Sequence, residues 1–109
     1  MRRRHFGEFE QLLLYAVLHL QDAEAGASGP TIRRTLEGRT GRVVSPGAIY
    51  TALDRLERRG FVRSELGEPT PERGGKRKRL YRMRAAGEAA LRASEAALEK
   101  MARLVREQG

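Results

Sequence analysis

Residues 45–60 read SPGAIYTALDRLERRG and contain the start and stop signals of one helix. Ser45 is a favourable N-cap, Pro46 suits the first helical position, and Gly60 is a typical stop. One face of the predicted helix is apolar and consists of Ile49, Ala52, Leu53 and Leu56. The opposite face, flanked by Tyr50, consists of Gly47, Thr51, Asp54, Arg55 and Arg58. The sequence therefore predicts an amphipathic helix over about residues 45–59.

The segment that follows, residues 61–84, predicts a basic β-hairpin. In residues 61–66 apolar and polar side chains alternate well enough to predict a strand. In residues 76–84 apolar and basic side chains alternate in the same way. Between them, residues 67–75 (GEPTPERGG) are turn formers throughout. The segment carries a net charge of +5 out of +8 for the whole chain, and residues 73–84 include seven basic and no acidic residues. This concentration of charge makes the hairpin a candidate binding element.

Helices are also predicted on both sides of this central region. Residues 8–21 are apolar on nearly all sides of a helix, which indicates burial on more than one face and suggests a second subunit. A short helix opens at Pro30, after the candidate caps Ser28 and Gly29. Residues 86–107 are rich in Ala, Leu, Glu and Arg and predict a long last helix. Its apolar positions form a heptad-like seam of Leu91, Leu98, Met101 and Val105.

The predicted order of elements is three helices, a strand, a basic turn, a second strand and a long helix. This order is typical of a winged helix-turn-helix protein, so the expected fold is mainly α with a small β-hairpin. We expect a winged helix-turn-helix domain over residues 1–84, with its recognition helix at about 45–59 and its wing at about 61–84. Residues 85–109 are expected to form a C-terminal dimerisation helix, because a helix with a short apolar seam is only marginally stable unless a partner covers the seam.

The composition of the 109-residue chain excludes several classes of protein. Cys is absent, so the chain has no disulfide framework, thiolate metal site or Cys nucleophile. We expect the protein to be neither an enzyme nor a protein that binds a metal or a cofactor. The sequence has no nucleophile–base pair and no phosphate-binding loop, and no carboxylate or Cys lies at metal-ligand spacing from His5 or His19. The longest apolar stretch, Leu12–Leu20, is too short to span a membrane, and a cytoplasmic protein is expected. The net charge of +8 favours a polyanionic partner.

Residues 45–62 (SPGAIYTALDRLERRGFV) and 75–87 (GKRKRLYRMRAAG) resemble the PadR family of bacterial transcriptional regulators. The matching positions are Ser45, Pro46, Gly47, Tyr50, Leu53, Leu56, Gly60, Tyr81, Arg82 and Gly87. The chain departs from the family pattern at three positions: Arg84 replaces a helix-capping Thr, Leu80 replaces an aromatic residue of the wing, and Pro30 replaces an aromatic residue after Gly29. With a single C-terminal helix the chain is similar to the short subfamily, whose members are dimers joined through their first and last helices.

The resemblance and the residues together predict contacts with double-stranded operator DNA. The family places a DNA-contacting Tyr at the position of Tyr50, and its hydroxyl suits a phosphate oxygen. Thr51 and Arg55 lie on the exposed face of the helix, from which an Arg can read the major-groove edge of guanine. Adjacent cations on the wing suit phosphates. The predicted DNA-binding residues are Ser45, Gly47, Tyr50, Thr51, Arg55, Lys76, Arg77, Lys78 and Arg79.

The predicted dimer interface combines the first and last helices. Its residues are Phe9, Leu13, Val17, Leu91, Leu98, Met101 and Val105. The resemblance implies a homodimeric repressor that is released from its operator by a small apolar or aromatic effector bound between the subunits, or that is controlled by its own abundance. Two other functions stay open at this stage: a winged-helix module that binds an acidic protein surface, and a binder of structured RNA.

Overall fold

The computed structural model describes residues 6–69 and 77–108 of the chain. The elements in chain order are α1 (Glu8–Leu20), α2 (Gly29–Thr40), α3 (Pro46–Arg58), β1 (Val62–Pro69), β2 (Arg77–Met83) and α4 (Ala85–Gln108). This mainly α fold with one β-hairpin confirms the predicted fold class. The division into residues 1–84 and 85–109 stays a prediction.

Local capping explains where α2 and α3 begin and end. The Ser28 hydroxyl accepts the backbone N–H of Thr31 at 3.3 Å, and the Ser45 hydroxyl accepts that of Ala48 at 3.1 Å. Each cap satisfies one of the amide donors that a helix leaves unpaired at its first turn. Gly41 ends α2 with a φ of 76°, in the left-handed region that favours glycine.

The core lies between α1, α2, α3 and the base of the hairpin. Its side chains with at most 1% exposed surface include Leu13, Leu14, Val17, Ile32, Ile49, Leu53, Leu56 and Val62. The inner face of α3 predicted from the sequence, Ile49, Ala52, Leu53 and Leu56, is buried in this core. Burying each of the larger aliphatic side chains stabilises the fold by roughly 1.5–3 kcal/mol. The outer face of α3 is thereby held towards solvent.

Three residues predicted at the subunit interface belong to this core instead. Leu13 and Val17 have no exposed surface, and Leu91 is 3% exposed. The other elements of the same chain cover α1, because α2, α3, β2 and α4 all pack against it. The assignment of Leu13, Val17 and Leu91 to contacts with a second subunit is therefore wrong. Phe9, from the same predicted set, is half-buried and packs against the core.

The hairpin is antiparallel and is anchored to the α1–α2 loop. Ser64 pairs with Tyr81, and Leu66 pairs with Arg79. The backbone N–H of Tyr81 donates to the carbonyl of Ala27 at 2.8 Å, which adds a loop residue alongside β2. Arg82 donates to the carbonyl of Gln21 at 2.8 Å and to the Asp22 carboxylate at 2.7 Å. These bonds hold the base of the wing at a defined angle to the helices.

The long helix α4 is buried only near its beginning. Ala90 and Leu91 pack into the core, whereas the later seam residues lie in solvent: Leu98 is 60%, Met101 63% and Val105 70% exposed. Leu104 adds a further exposed apolar side chain. Among the described helices, α4 included, none is both long and apolar enough to cross a membrane.

Candidate nucleic-acid interface

The outer face of α3 presents a continuous set of exposed side chains. Tyr50, Thr51, Asp54, Arg55 and Arg58 are all exposed. Arg58 forms an ion pair with Asp54 one turn earlier in the helix. By contrast, the Arg55 guanidinium has no hydrogen-bond or ion-pair partner among residues 6–69 and 77–108. All N–H donors of the Arg55 guanidinium are therefore available to another molecule, in contrast to those of Arg58.

Ser45 and Gly47 occupy the beginning of α3. The Ser45 hydroxyl accepts the Ala48 amide at 3.1 Å, so its predicted contact with DNA competes with its capping role. Both residues are exposed, and a methyl group built on Gly47 would meet open space within 4 Å. Gly47 therefore leaves room for another molecule to approach the backbone of the first turn.

Tyr50 connects α3 to the beginning of α2. A Cβ atom at Gly29 would overlap the Tyr50 ring and hydroxyl, so the ring packs directly on the backbone of Gly29. Gly29 is the first residue of α2, and Tyr50 is still 44% exposed. The phenol thus lies at the end of α2 where the helix dipole favours negative charge. Sequence reasoning treated Gly29 only as a candidate cap and missed this contact.

The wing separates its basic side chains between two faces, because successive strand residues point in opposite directions. Arg77 and Arg79 share a face with Tyr81, which turns towards α3, whereas Lys78 shares the opposite face with Leu80 and Arg82. Lys76 lies outside the described residues. Of the predicted basic set, Arg79 therefore lies beside α3, Arg77 shares its face of the strand, and Lys78 lies on the opposite face.

A groove of about 720 Å³ separates α3 from the wing. Its α3 wall consists of Tyr50, Thr51, Asp54, Glu57 and Arg58, and its wing wall of Arg79 and Tyr81. The buried position of the Tyr81 phenol raises its pKa, while the neighbouring Arg79 opposes that shift and Glu57 adds to it. The Tyr81 hydroxyl therefore keeps its proton near neutral pH.

A chain of hydrogen bonds joins Arg79 and Glu57, which line this groove from the wing and from α3. Arg79 Nη1 donates to the Ser64 hydroxyl at 3.1 Å, and Ser64 Oγ lies 2.9 Å from each carboxylate oxygen of Glu57. Neither Ser64 nor Glu57 was among the predicted site residues. Strand alternation places Ser64 and Arg79 on one face once the register is known, but no local pattern in the sequence indicates the contact with Glu57.

The part of the chain that the structure describes contains no group of three or more His, Asp or Glu side chains able to hold a metal ion. The carboxylates at this interface are instead paired with hydrogen-bond donors: Asp54 with Arg58, and Glu57 with Ser64. The interface can therefore offer cationic and hydroxyl donors to an anion while its acidic groups are partly neutralised.

Comparison with known proteins gives consistent results. Residues 17–93 match the family described as the transcriptional regulator PadR-like family. Over 67 residues the chain is 43% identical to transcriptional regulator Rv3488 of Mycobacterium tuberculosis, a match that covers 62% of this chain and 59% of that protein. The fold is similar to a PadR-like transcription factor structure from "bacteroid fragilis", with a TM-score of 0.74, 20% identity and coverage of 93% and 89% of the two chains.

A second solved structure has the same architecture. The PadR-like transcriptional regulator BC4206 from Bacillus cereus strain ATCC 14579 gives a TM-score of 0.72 at 18% identity, and the match covers 92% of this chain and 89% of that one. At this level of identity the similarity establishes the fold. The match to the family over residues 17–93 includes α2, α3 and the hairpin, which form the candidate interface.

Proposed function

The chain belongs to the PadR-like family of transcriptional regulators, and from this premise we propose that it binds double-stranded operator DNA through α3 and the wing. A recognition helix of this kind fits the major groove, and the adjacent hairpin reaches the phosphate backbone. Binding to chromosomal operators implies a location in the cytoplasm. The residues proposed to contact DNA are those predicted from the sequence, with Arg79 and Tyr50 supported by the additional contacts described above.

One observation carries this proposal: donor groups of α3, on Tyr50, Thr51 and Arg58, line an open groove together with Arg79 of the basic wing. Arg55 projects from the outer face of α3 without a partner in the described part of the chain. Arg79 lines the opposite wall, and Tyr50 presents its hydroxyl at the beginning of α2. We assign base reading to Thr51 and Arg55, and phosphate contacts to Tyr50 and the wing cations, because phosphate contacts position a protein and base contacts specify the sequence.

We further propose that the chain acts as a homodimer. The exposed apolar side chains on α4 need a partner surface, and the resemblance to dimeric relatives indicates a second copy. A two-fold dimer would place two α3 helices roughly 34 Å apart, on successive turns of the DNA. The expected operator is then a palindrome.

We propose repression as the regulatory effect, with release either by a small apolar or aromatic effector or by a fall in protein abundance. Tyr15 and Met101 supply exposed apolar surface on α1 and α4, and the Tyr15 hydroxyl donates to Glu95 at 2.7 Å. An effector between the subunits would bind this surface. It must bind the DNA-free dimer more tightly than the DNA-bound dimer, since only a difference in affinity can shift the equilibrium. Thermal-shift screening with phenols and apolar cations, paired with operator release, separates the two modes of release.

The proposed DNA binding is tested with duplexes selected by the protein from a random-sequence pool. The logarithm of the affinity should fall linearly with the logarithm of the salt concentration. Replacing Arg77, Lys78 and Arg79 together by Ala should weaken binding to all duplexes and flatten the slope by about 0.9 for each phosphate that the variant no longer neutralises. The matched control replaces Arg92, Lys100 and Arg103 of α4 by Ala, which removes the same charge outside the proposed interface and should leave the slope unchanged.

The same titrations distinguish the other candidate functions. A structured-RNA binder would retain higher affinity for folded RNA than for any selected duplex. A module for acidic proteins would give no enriched duplex, and its binding to DNA would not depend on sequence. Equal loss of affinity in the wing variant and the α4 variant would contradict the assignment of the wing to DNA contact.

A further inference from the structure

The chain of hydrogen bonds from Arg79 to Glu57 joins three separate elements. Arg79 belongs to β2, Ser64 to β1 and Glu57 to the last turn of α3. Ser64 lies opposite Tyr81, so Arg79 is its diagonal cross-strand neighbour on the same face. A serine hydroxyl has one proton to donate and two lone pairs that accept. Arg79 has no acceptor, so the hydroxyl accepts from Arg79 and its single proton is directed to the Glu57 carboxylate.

This arrangement restricts a side chain that is otherwise flexible. A free arginine on an exposed strand samples many rotamers, and each of these must be given up when it binds a phosphate. One nitrogen of the Arg79 guanidinium is 3.1 Å from Ser64 Oγ, and its other N–H groups have no partner among residues 6–69 and 77–108. The side chain lines the groove together with Tyr50, Thr51 and Arg58. Two residues further out on the same face of the wing, Arg77 has no such partner within residues 6–69 and 77–108.

We propose that Ser64 and Glu57 are positioning residues for DNA binding, which hold Arg79 beside the recognition helix in the orientation it takes on the operator. This inference rests on the proposed function, and it assigns a role to two residues that do not themselves contact DNA. Glu57 stands near the expected path of the phosphates, where a carboxylate is unfavourable by repulsion. Its contribution is the anchor that it provides for Ser64 and, through Ser64, for Arg79.

A double-mutant cycle on the full-length protein tests the proposal. Ser64→Ala should lower operator affinity about three- to tenfold, the cost of ordering one long side chain on binding. The salt slope should stay at the wild-type value, because every cation is retained. Arg79→Ala should lower the affinity and also reduce the slope by about 0.9. In the double variant, Ser64→Ala should cause no further loss, since the side chain that it positions is gone.

Ser64→Thr provides the rescue, because it keeps the hydroxyl in a strand that favours β-branched residues. Its affinity should be close to that of the wild type. A role of Ser64 in folding alone would instead lower the urea midpoint, and its effect on affinity would be the same with or without Arg79.

Two matched controls isolate the positioning effect. Arg77→Ala removes a wing cation that has no described partner, and its loss of affinity should add to that of Ser64→Ala. Glu57→Ala and Glu65→Ala each remove one negative charge and its acceptor oxygens, but Glu65 is paired with Arg63 on the other face of β1. The change in long-range electrostatics is similar in both variants, so a lower operator affinity of Glu57→Ala than of Glu65→Ala measures the loss of the acceptor for Ser64.

The outcomes separate this inference from the proposed function. If the wild-type protein binds selected duplexes with a steep salt slope but Ser64→Ala and Arg79→Ala are additive, the positioning role is wrong and DNA binding stands. If Ser64→Ala binds as tightly as the wild type, the same conclusion follows. If the wild-type protein selects no duplex, the proposed function fails first and the positioning role fails with it.

Discussion

At the scale of single residues, two glycines show how closely the backbone of one element approaches another. Gly29 leaves space for the Tyr50 ring, an exposed side chain that can move. At Gly87, near the start of α4, an added Cβ would overlap the backbone carbonyl of Phe61, which cannot move without shifting the hairpin. The same carbonyl accepts the Arg84 amide at 3.0 Å. A side chain added at Gly87 should therefore destabilise the fold more than one added at Gly29.

Gly87→Ala should destabilise the protein by about 2 kcal/mol or more, because the clash is with backbone inside a packed junction. The control is Gly38→Ala, in α2, where a Cβ meets nothing within 4 Å. That change should stabilise the protein by about 0.5–1 kcal/mol by removing the entropy cost of a helical glycine. Urea unfolding measures both values. A shift in the same direction for the two variants would contradict the steric account of Gly87.

Arg55 and Arg58 lie on the same face of α3 but differ in their partners. Arg55→Ala should relax base preference at one operator position, where a bidentate arginine contributes about 1–3 kcal/mol of discrimination. Arg58→Ala should change base preference less, because its guanidinium is engaged by Asp54. Affinities for operators with each single base substitution give the comparison. A uniform loss over all operators in Arg55→Ala would identify a phosphate contact instead of a base contact.

At the scale of elements, the turn between α2 and α3 is held by side chains of α2. The Glu37 carboxylate accepts the Val44 amide at 2.9 Å and Arg33 Nε at 3.2 Å, and Arg33 Nε also donates to the Val44 carbonyl at 2.7 Å. The Val44 hydrogen bond, assisted by Arg33 and opposed by burial, lowers the pKa of Glu37 from its ordinary value of 4.5. An ionised carboxylate therefore helps to hold the turn that connects α2 to α3.

Because the folded state lowers this pKa, the ionised Glu37 stabilises the fold at pH values above 4.5, and this contribution is lost as the pH falls through the folded pKa. The urea midpoint of the wild type should therefore drop more steeply below pH 4.5 than that of Glu37→Gln, which has no charge to lose. Glu24→Gln, at an exposed position in the α1–α2 loop, is the control and should keep the wild-type pH dependence. Parallel curves for wild type and Glu37→Gln would rule out this role.

At the scale of the whole molecule, α4 carries a row of apolar side chains that its own chain does not cover. Leu98 and Val105 are 60% and 70% exposed, and Met101 and Leu104 extend the same apolar surface. The first turns of α4 are fixed by Ala90 and Leu91 in the core. The helix thus presents its seam at a defined position relative to α3, as the proposed two-fold dimer requires in order to match a two-fold operator.

The paired change Leu98→Glu and Val105→Glu should convert a dimer into a folded monomer, because charged side chains cannot be buried in the proposed interface and neither position belongs to the core. Light scattering should give twice 12.2 kDa for the wild type and 12.2 kDa for the variant. The control pair Ala89→Glu and Ala96→Glu introduces the same charge at the same spacing on the opposite face and should remain dimeric. A monomeric wild type at micromolar concentration would contradict the dimer and the palindromic operator.

Local chemistry was enough to predict the elements and the surface that they present. Caps at Ser28 and Ser45, a stop at Gly60 and the alternation around Tyr81 each depend on residues a few positions apart. The same spacing places Arg55 on the outer face of α3. These features follow from the fixed repeat of side-chain directions along a helix or a strand. The sequence alone therefore determined the order of elements, the fold class and the charged wing.

Only the tertiary structure decided which apolar faces a single chain covers and which polar groups meet. Leu13 and Val17 look the same in sequence whether α2, α3 and the hairpin or a second subunit buries them. The contact of Tyr50 with Gly29, and that of Arg79 with Glu57 through Ser64, joins residues from different elements. Such contacts depend on how the elements pack in three dimensions, and that packing is set by the whole core together and not by any local period.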